Sequence, residues 1–319
     1  MRVIRRFKNL AIGLVIVLAP PYVLGAEMDE PATSTSTRLK AEIQKILGER
    51  SEEIQVKIWI GGPTGGATFA LGDTSVMPTA SAIKTAFLVE WFAEHRDALD
   101  QPLPGLDQVL ADDHPAIAHF TPKQREEIRE GLQGASVRRL GGIMMGPIKV
   151  SNVVYNAAAN VITALLGGPQ RLTDRIHQRD PAFAPIQVRR YMLADRVENG
   201  DNEATPAALA AVLQRLAERK LRGVDTKLID EIRNSISHEE KSEFGPRYWK
   251  GGALNSDPIT RVESGWYDAG EHSLVYCVMT SQANLGGQER EKASETLNSL
   301  CKSITATLTR QLRPATSAR

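Results

Sequence analysis

The sequence predicts an α+β protein, and three observations carry that prediction. Apolar residues alternate with period two over 54–60, as a half-buried strand does, and from Tyr248 to Met279 the pattern turns to strands again. Between them lies a long stretch with helical apolar spacing and no strand pattern. An amphipathic run over 293–312 closes the chain. Strands from the two ends are therefore expected to form one antiparallel sheet with flanking terminal helices. The middle of the chain is then an all-helical lobe, with a site in the cleft between the two.

The 319 residues suffice for a substantial core, and 42% apolar with 24% charged residues is ordinary globular composition. A formal net charge of +1 and few aromatics leave no reason to expect a nucleic-acid partner. The N-terminus carries Arg2, Arg5, Arg6 and Lys8, then an apolar run over 10–18 and a small-residue exit at Val23-Leu24-Gly25-Ala26. That layout predicts a signal peptide over 1–26, cleavage near Gly25 or Ala26, and a periplasmic or secreted product. The apolar run is short for a membrane span, so none is expected after cleavage. Residues 27–37, rich in Ser and Thr, read as a linker, and 38–319 as one domain. Its sheet lobe is expected over 38–80 and 245–319, its helical lobe over 81–244.

Leu39, Ile43, Ile46 and Leu47 predict a first helix over 38–50, with Gly48 as its stop. Strands over 54–60 and 67–71 flank Gly61-Gly62-Pro63-Thr64-Gly65-Gly66. That turn opens no helix, so it reads as a hairpin rather than a phosphate loop. A helix follows from Ser81 to about His95. The stretch 105–146 is largely polar and helical, and its His114 and His119 read as packed or solvated, since no third ligand stands near. Helices over 153–166 and 171–179 precede a long aperiodic loop over 181–205, a kind of segment that tends to carry function. Thr205-Pro206 caps a helix to Leu221, and another spans 228–237. Strands at 259–267 and 273–279 complete the sheet. Cys277 and Cys301 are the two cysteines of the chain, and either a disulfide or two buried thiols fits.

The chemistry centres on Ser81-Ala82-Ile83-Lys84. Serine and lysine three apart share a helix face, and a desolvated lysine is one of the few groups able to activate a serine without histidine. A second copy, Ser299-Leu300-Cys301-Lys302, lies in the closing helix. The first copy is followed in order by Asn156-Ala157-Ala158-Ala159-Asn160 on an alanine-rich helix and by Lys250-Gly251-Gly252 opening a strand. Ser-x-x-Lys, then such an asparagine, then a Lys-Thr/Ser-Gly strand is the motif order of penicillin-recognising serine enzymes. Over roughly residues 40–312 the chain resembles the class A β-lactamase-like family. The resemblance implies the β-lactamase/transpeptidase-like fold and an exported serine hydrolase acting as a monomer on a small molecule or peptide, a β-lactam or a D-Ala-type peptide, with no metal or cofactor. A non-hydrolytic cell-wall-peptide binder is the alternative.

The resemblance implies roles residue by residue. Ser81 is the acylated nucleophile and Lys84 its base. Asn156 holds a substrate carbonyl and the lysine, and Lys250 faces a substrate carboxylate. The strand of Gly251, Gly252 and Ala253 takes the substrate edge-on, and Arg261 is a second carboxylate anchor. The N–H groups of Ser81 and Ala253 supply the oxyanion hole.

Three departures qualify this. The family's serine two residues before the asparagine falls on Val154, which leaves Ser151 or Tyr155 as the hydroxyl that relays a proton. In the omega loop, Arg189 takes the arginine position, pairing with Asp201 or Glu203, and the glutamate position of the Arg-x-Glu segment falls on Tyr191. Asp195 or Glu198 substitutes only if the loop follows another path. Gly251 stands where the triad carries a hydroxyl. Acylation machinery is largely present, and slow deacylation is the expectation.

Overall fold

The computed structural model describes residues 32–48, 52–242, 244–270 and 273–312, so the expected signal peptide lies outside the described residues. Helix α1 (Ala32–Leu47) leads into the hairpin of β1 (Gln55–Gly61) and β2 (Ala67–Leu71). The short β3 (Met77–Pro78) is followed by a 3-10 turn (Ala80–Ile83) and α2 (Lys84–Glu94). Helices α3 (Leu106–Val109), α4 (Pro122–Leu132), α5 (Val137–Met145), α6 (Asn152–Leu165) and α7 (Pro169–Arg179) build the middle. The long loop then ends in β4 (Glu203–Ala204), which pairs with β3. Next come α8 (Pro206–Ala217), α9 (Thr226–Asn234) and β5 (Ser237–Glu239). Strands β6 (Arg247–Leu254), β7 (Ile259–Tyr267) and β8 (Leu274–Gln282) lead to α10 (Gly287–Leu312).

The six-stranded sheet has the order β2-β1-β8-β7-β6-β5, so strands from both ends of the chain do join, all antiparallel. Every residue of β8 is buried, as befits a central strand covered on both faces. Its side chains alternate between two cores. Val275, Cys277 and Met279 face the helical lobe, with Trp91, Phe92 and Trp266. Tyr276 and Val278 face α1 and α10, with Leu39, Ile43 and Leu308. Cys301 belongs to this second core, so the sheet separates it from Cys277; both thiols are free and buried.

Two expectations need correction. Helix α1 begins at Ala32, inside the segment read as a linker, although Gly48 does stop it with φ +58°. The Ser81 stretch is a 3-10 turn, and the α-helix starts only at Lys84. Residues 84–93 of α2 are all buried, which makes it the central helix of its lobe rather than an amphipathic surface one.

Candidate active site

The turn that presents Ser81 is strained and is held from two sides. Ala80 sits at φ +47°, a conformation unfavourable for a residue with a Cβ and typical of backbone held by its surroundings at functional sites. Thr79, fully buried, donates through both its N–H and its hydroxyl to the carbonyl of Asn202, each at 3.0 Å. Strand β6 presses on the turn from below at Gly252. A Cβ there would lie 3.1 Å from the nitrogen of Ala82 and 3.2 Å from the Cβ of Ala80, and closer still to the carbonyl of Thr79. The close approach that glycine allows here is to the nucleophile's own turn. Ser81 in the 3-10 turn and Lys84 at the head of α2, three residues apart, lie on one face of that junction.

Lys84 is fully buried, and its Nζ donates to Asn156 Oδ1 at 3.0 Å. The same nitrogen lies 3.5 Å from the centre of the Tyr155 ring. Among the described residues it has no carboxylate partner. Burial drives its pKa well below the usual lysine value, and the charge of Lys250 adds to the effect. Lys250 stands 5.3 Å from the same Tyr155 ring and donates to the carbonyl of Gly251 at 3.2 Å. Tyr155 therefore lies between the two amines.

Helix α6 starts at Ser151, whose hydroxyl caps it by accepting from the N–H of Val154 at 3.3 Å. Ser151 is thereby engaged outside the cleft, and of the two hydroxyls weighed only Tyr155 lines it. Val154 is turned into the α4 contact, where a Cβ on Gly131 would meet it at 2.7 Å. Asn156 meets only half of its expectation. It accepts from Lys84, but its Nδ2 donates to the carbonyl of Asn152 at 2.9 Å and to Asn152 Oδ1 at 3.1 Å. Both N–H bonds that a substrate carbonyl would need are occupied.

The long loop is braced at two levels. Arg189 does pair with Glu203 at 3.0 Å, but on the surface. The more enclosed brace is Arg190, which meets Asp201 at 2.7 Å and the carbonyl of Ala194 at 2.8 Å, while Arg196 meets Asp201 at 3.1 Å. One turn along α6 from Asn156, fully buried Asn160 grips the next stretch, accepting from Met192 N at 2.5 Å and donating to its carbonyl at 3.0 Å. His119 also reaches that carbonyl, at 3.1 Å. Sequence reasoning missed both Asn160 and Arg190, although an asparagine within the apolar run of α6 was a signal. Tyr191 packs toward Gly168, 3.9 Å from the position of a Cβ there, and burial raises its pKa. Met192, not Tyr191, lines the cleft. Counted from either arginine, the position two residues on holds no acid. Asp195 reaches the cleft, with its Oδ1 accepting from Val197 N at 2.9 Å, and Glu198 does not line it.

Strand β5 pairs with β6 only as far as Trp249, so 250–254 face the cleft as a free edge beside the turn. Gly251, Gly252 and Ala253 line it. Arg261 lines its outer end, with Nη1 donating to the carbonyls of Leu254 (3.0 Å) and Thr260 (2.7 Å) and Nη2 to Asn255 Oδ1 (2.8 Å) and the Ser294 hydroxyl. No carboxylate neutralises it among the described residues. The cleft, about 960 Å³, thus gathers Ser81, Tyr155, Asn152, Asn156 and the β6 edge at one place. No cluster of side chains suited to a metal occurs among the described residues.

No curated protein matches the chain in sequence. Solved structures match in fold. The TLA-1 extended-spectrum β-lactamase superimposes with a TM-score of 0.60 at 13% identity, over 86% of this chain and 99% of that one. A class A β-lactamase from Mycobacterium abscessus gives 0.57 at 16% identity, over 86% and 98%. A β-lactamase from Burkholderia vietnamiensis gives 0.58 at 16%, over 85% and 98%. With residues 38–308 matched by the model of the beta-lactamase enzyme family, the chain belongs to that family.

Proposed function

We propose that the protein is an exported serine hydrolase that is acylated at Ser81 by a β-lactam or a related amide or ester and is slowly deacylated. The observation that carries this is Lys84, wholly buried without a counter-ion, its pKa well depressed, one 3-10 turn from Ser81. A neutral amine there accepts the Ser81 proton as Oγ attacks the substrate carbonyl. The N–H groups of Ser81 and Ala253 receive the developing oxyanion. As the C–N or C–O bond breaks, the proton returns from Lys84 to the leaving atom through the Tyr155 hydroxyl, and an ester on Ser81 remains. Lys250 on β6 and Arg261 on the neighbouring β7 favour a substrate that carries a carboxylate.

Releasing that ester needs a base for water; neither Tyr191 nor Met192 supplies one, and Asp195, the acid of the loop that lines the cleft, is engaged through Oδ1 by the N–H of Val197. The test is incubation with a fluorescent penicillin, followed by intact-mass analysis. A long-lived adduct, absent in Ser81→Ala, is expected. Rapid nitrocefin hydrolysis would contradict slow deacylation, and the absence of any adduct would contradict acylation.

A further inference from the structure

The occupied amide of Asn156 leaves a vacancy in the substrate-binding roles, and the neighbouring side chain is placed to take it. We propose that Asn152 is a substrate-binding residue whose carboxamide N–H donates to a carbonyl oxygen on the acyl side of the substrate, a step that deepens the acylation reading above. The argument runs along a chain of fixed orientations. A primary amide offers one acceptor oxygen and two N–H donors. Lys84 Nζ donates to Asn156 Oδ1 at 3.0 Å, which sets the way that amide faces. Its Nδ2 must then face Asn152, where it finds the main-chain carbonyl at 2.9 Å and Oδ1 at 3.1 Å. Spacing of four residues on α6 puts the two asparagines on one face.

That contact in turn sets the orientation of Asn152. Its oxygen is spent on Asn156, and its Nδ2 has no acceptor among the described residues. Asn152 is exposed, and it lines the same cleft as Ser81. An exposed asparagine in a first helical turn commonly does nothing but meet water. This one differs in that its oxygen is pinned and its donor is left over in the cleft of the nucleophile. The substrate class that uses such a donor has a second carbonyl beside the scissile one, as an acylamino side chain provides. The same chain of bonds links that carbonyl to Lys84 through two carboxamides, so filling the substrate site tightens the hold on the base.

The experiment compares acylation of wild-type protein, Asn152→Ala and Asn152→Asp by two probes. Benzylpenicillin has the side-chain carbonyl, and 6-aminopenicillanic acid lacks it. Asn152→Asp keeps the acceptor for Asn156 and puts a carboxylate oxygen in place of the donor, so the α6 contact survives and the added charge acts on both probes alike. Both variants are expected to lose about tenfold more in acylation efficiency with benzylpenicillin than with 6-aminopenicillanic acid, the worth of one neutral hydrogen bond. An equal loss with both probes would overturn the proposal in favour of a structural role, and so would no loss with either. If wild-type protein forms no Ser81 adduct with either probe, the acylation reading fails and this one with it.

Discussion

Lys84 carries opposite consequences for stability and for chemistry in one side chain. Its pKa in the folded protein lies below the value of about 10.4 that it has in the unfolded chain. Between those two values the unfolded state holds a proton that the native state does not, so stability rises with pH across that window. Below both, the burial penalty is present in full. Lys84→Met removes it and is expected to stabilise the fold at pH 7 by on the order of 1 kcal/mol while abolishing acylation. Denaturant titration beside the adduct assay checks both halves, and a destabilised Lys84→Met would mean that the bond to Asn156 outweighs burial. Gly252 poses a purely steric question. Its Cβ would meet backbone atoms of the Ser81 turn, which cannot swing aside as a side-chain end can. Gly252→Ala is expected to cost about 1–3 kcal/mol and, by shifting the nucleophile, on the order of a hundredfold in acylation rate. Near-normal acylation in a folded Gly252→Ala would show that the turn yields without losing alignment.

The long loop shows at the level of one element why two adjacent arginines are not equivalent. Arg189 and Glu203 remain 46% and 27% exposed, and ion pairs so placed contribute little. Arg190 and Asp201 are 11% and 10% exposed, with Arg196 on the same carboxylate, so removing that charge strands two guanidinium groups. Asp201→Asn is expected to lose about 2–4 kcal/mol and to release the loop to hydrogen exchange, whereas Glu203→Gln stays within about 0.5 kcal/mol. Equal effects of the two substitutions would contradict the assignment of the brace. The bracing also sustains Leu193 at φ +65° and 54% exposed, a conformation a free loop would not keep.

Across the whole molecule, the legible parts were those that a local pattern specifies. Alternation marked β1, apolar spacing marked α6, and Thr205 caps α8 by accepting from Ala208 as its Thr-Pro signature suggests. The two-residue strands β3 and β4 and the three-residue β5 are too short for any period, and pairing alone defines them. Asn152 and Asn160 are ordinary asparagines in sequence, and their roles arise from Lys84 and Met192, tens of residues away. Sequence alone does not say which arginine braces the loop from within, since only the fold separates the register of Arg190 from that of Arg189. That register has a functional consequence where α6, the loop and the Ser81 turn converge. Met192 lines the cleft and is held through its main chain by Asn160, whereas Tyr191 is turned toward Gly168. A carboxylate introduced at 192 keeps that main-chain grip and stands in the cleft with Ser81, where it can take a proton from water. Met192→Glu is therefore expected to shorten the life of the acyl-enzyme at least about tenfold, and Tyr191→Glu to leave it unchanged. Pulse-labelling with fluorescent penicillin and following the loss of adduct reads both; faster release in Tyr191→Glu alone would restore the register read from the sequence.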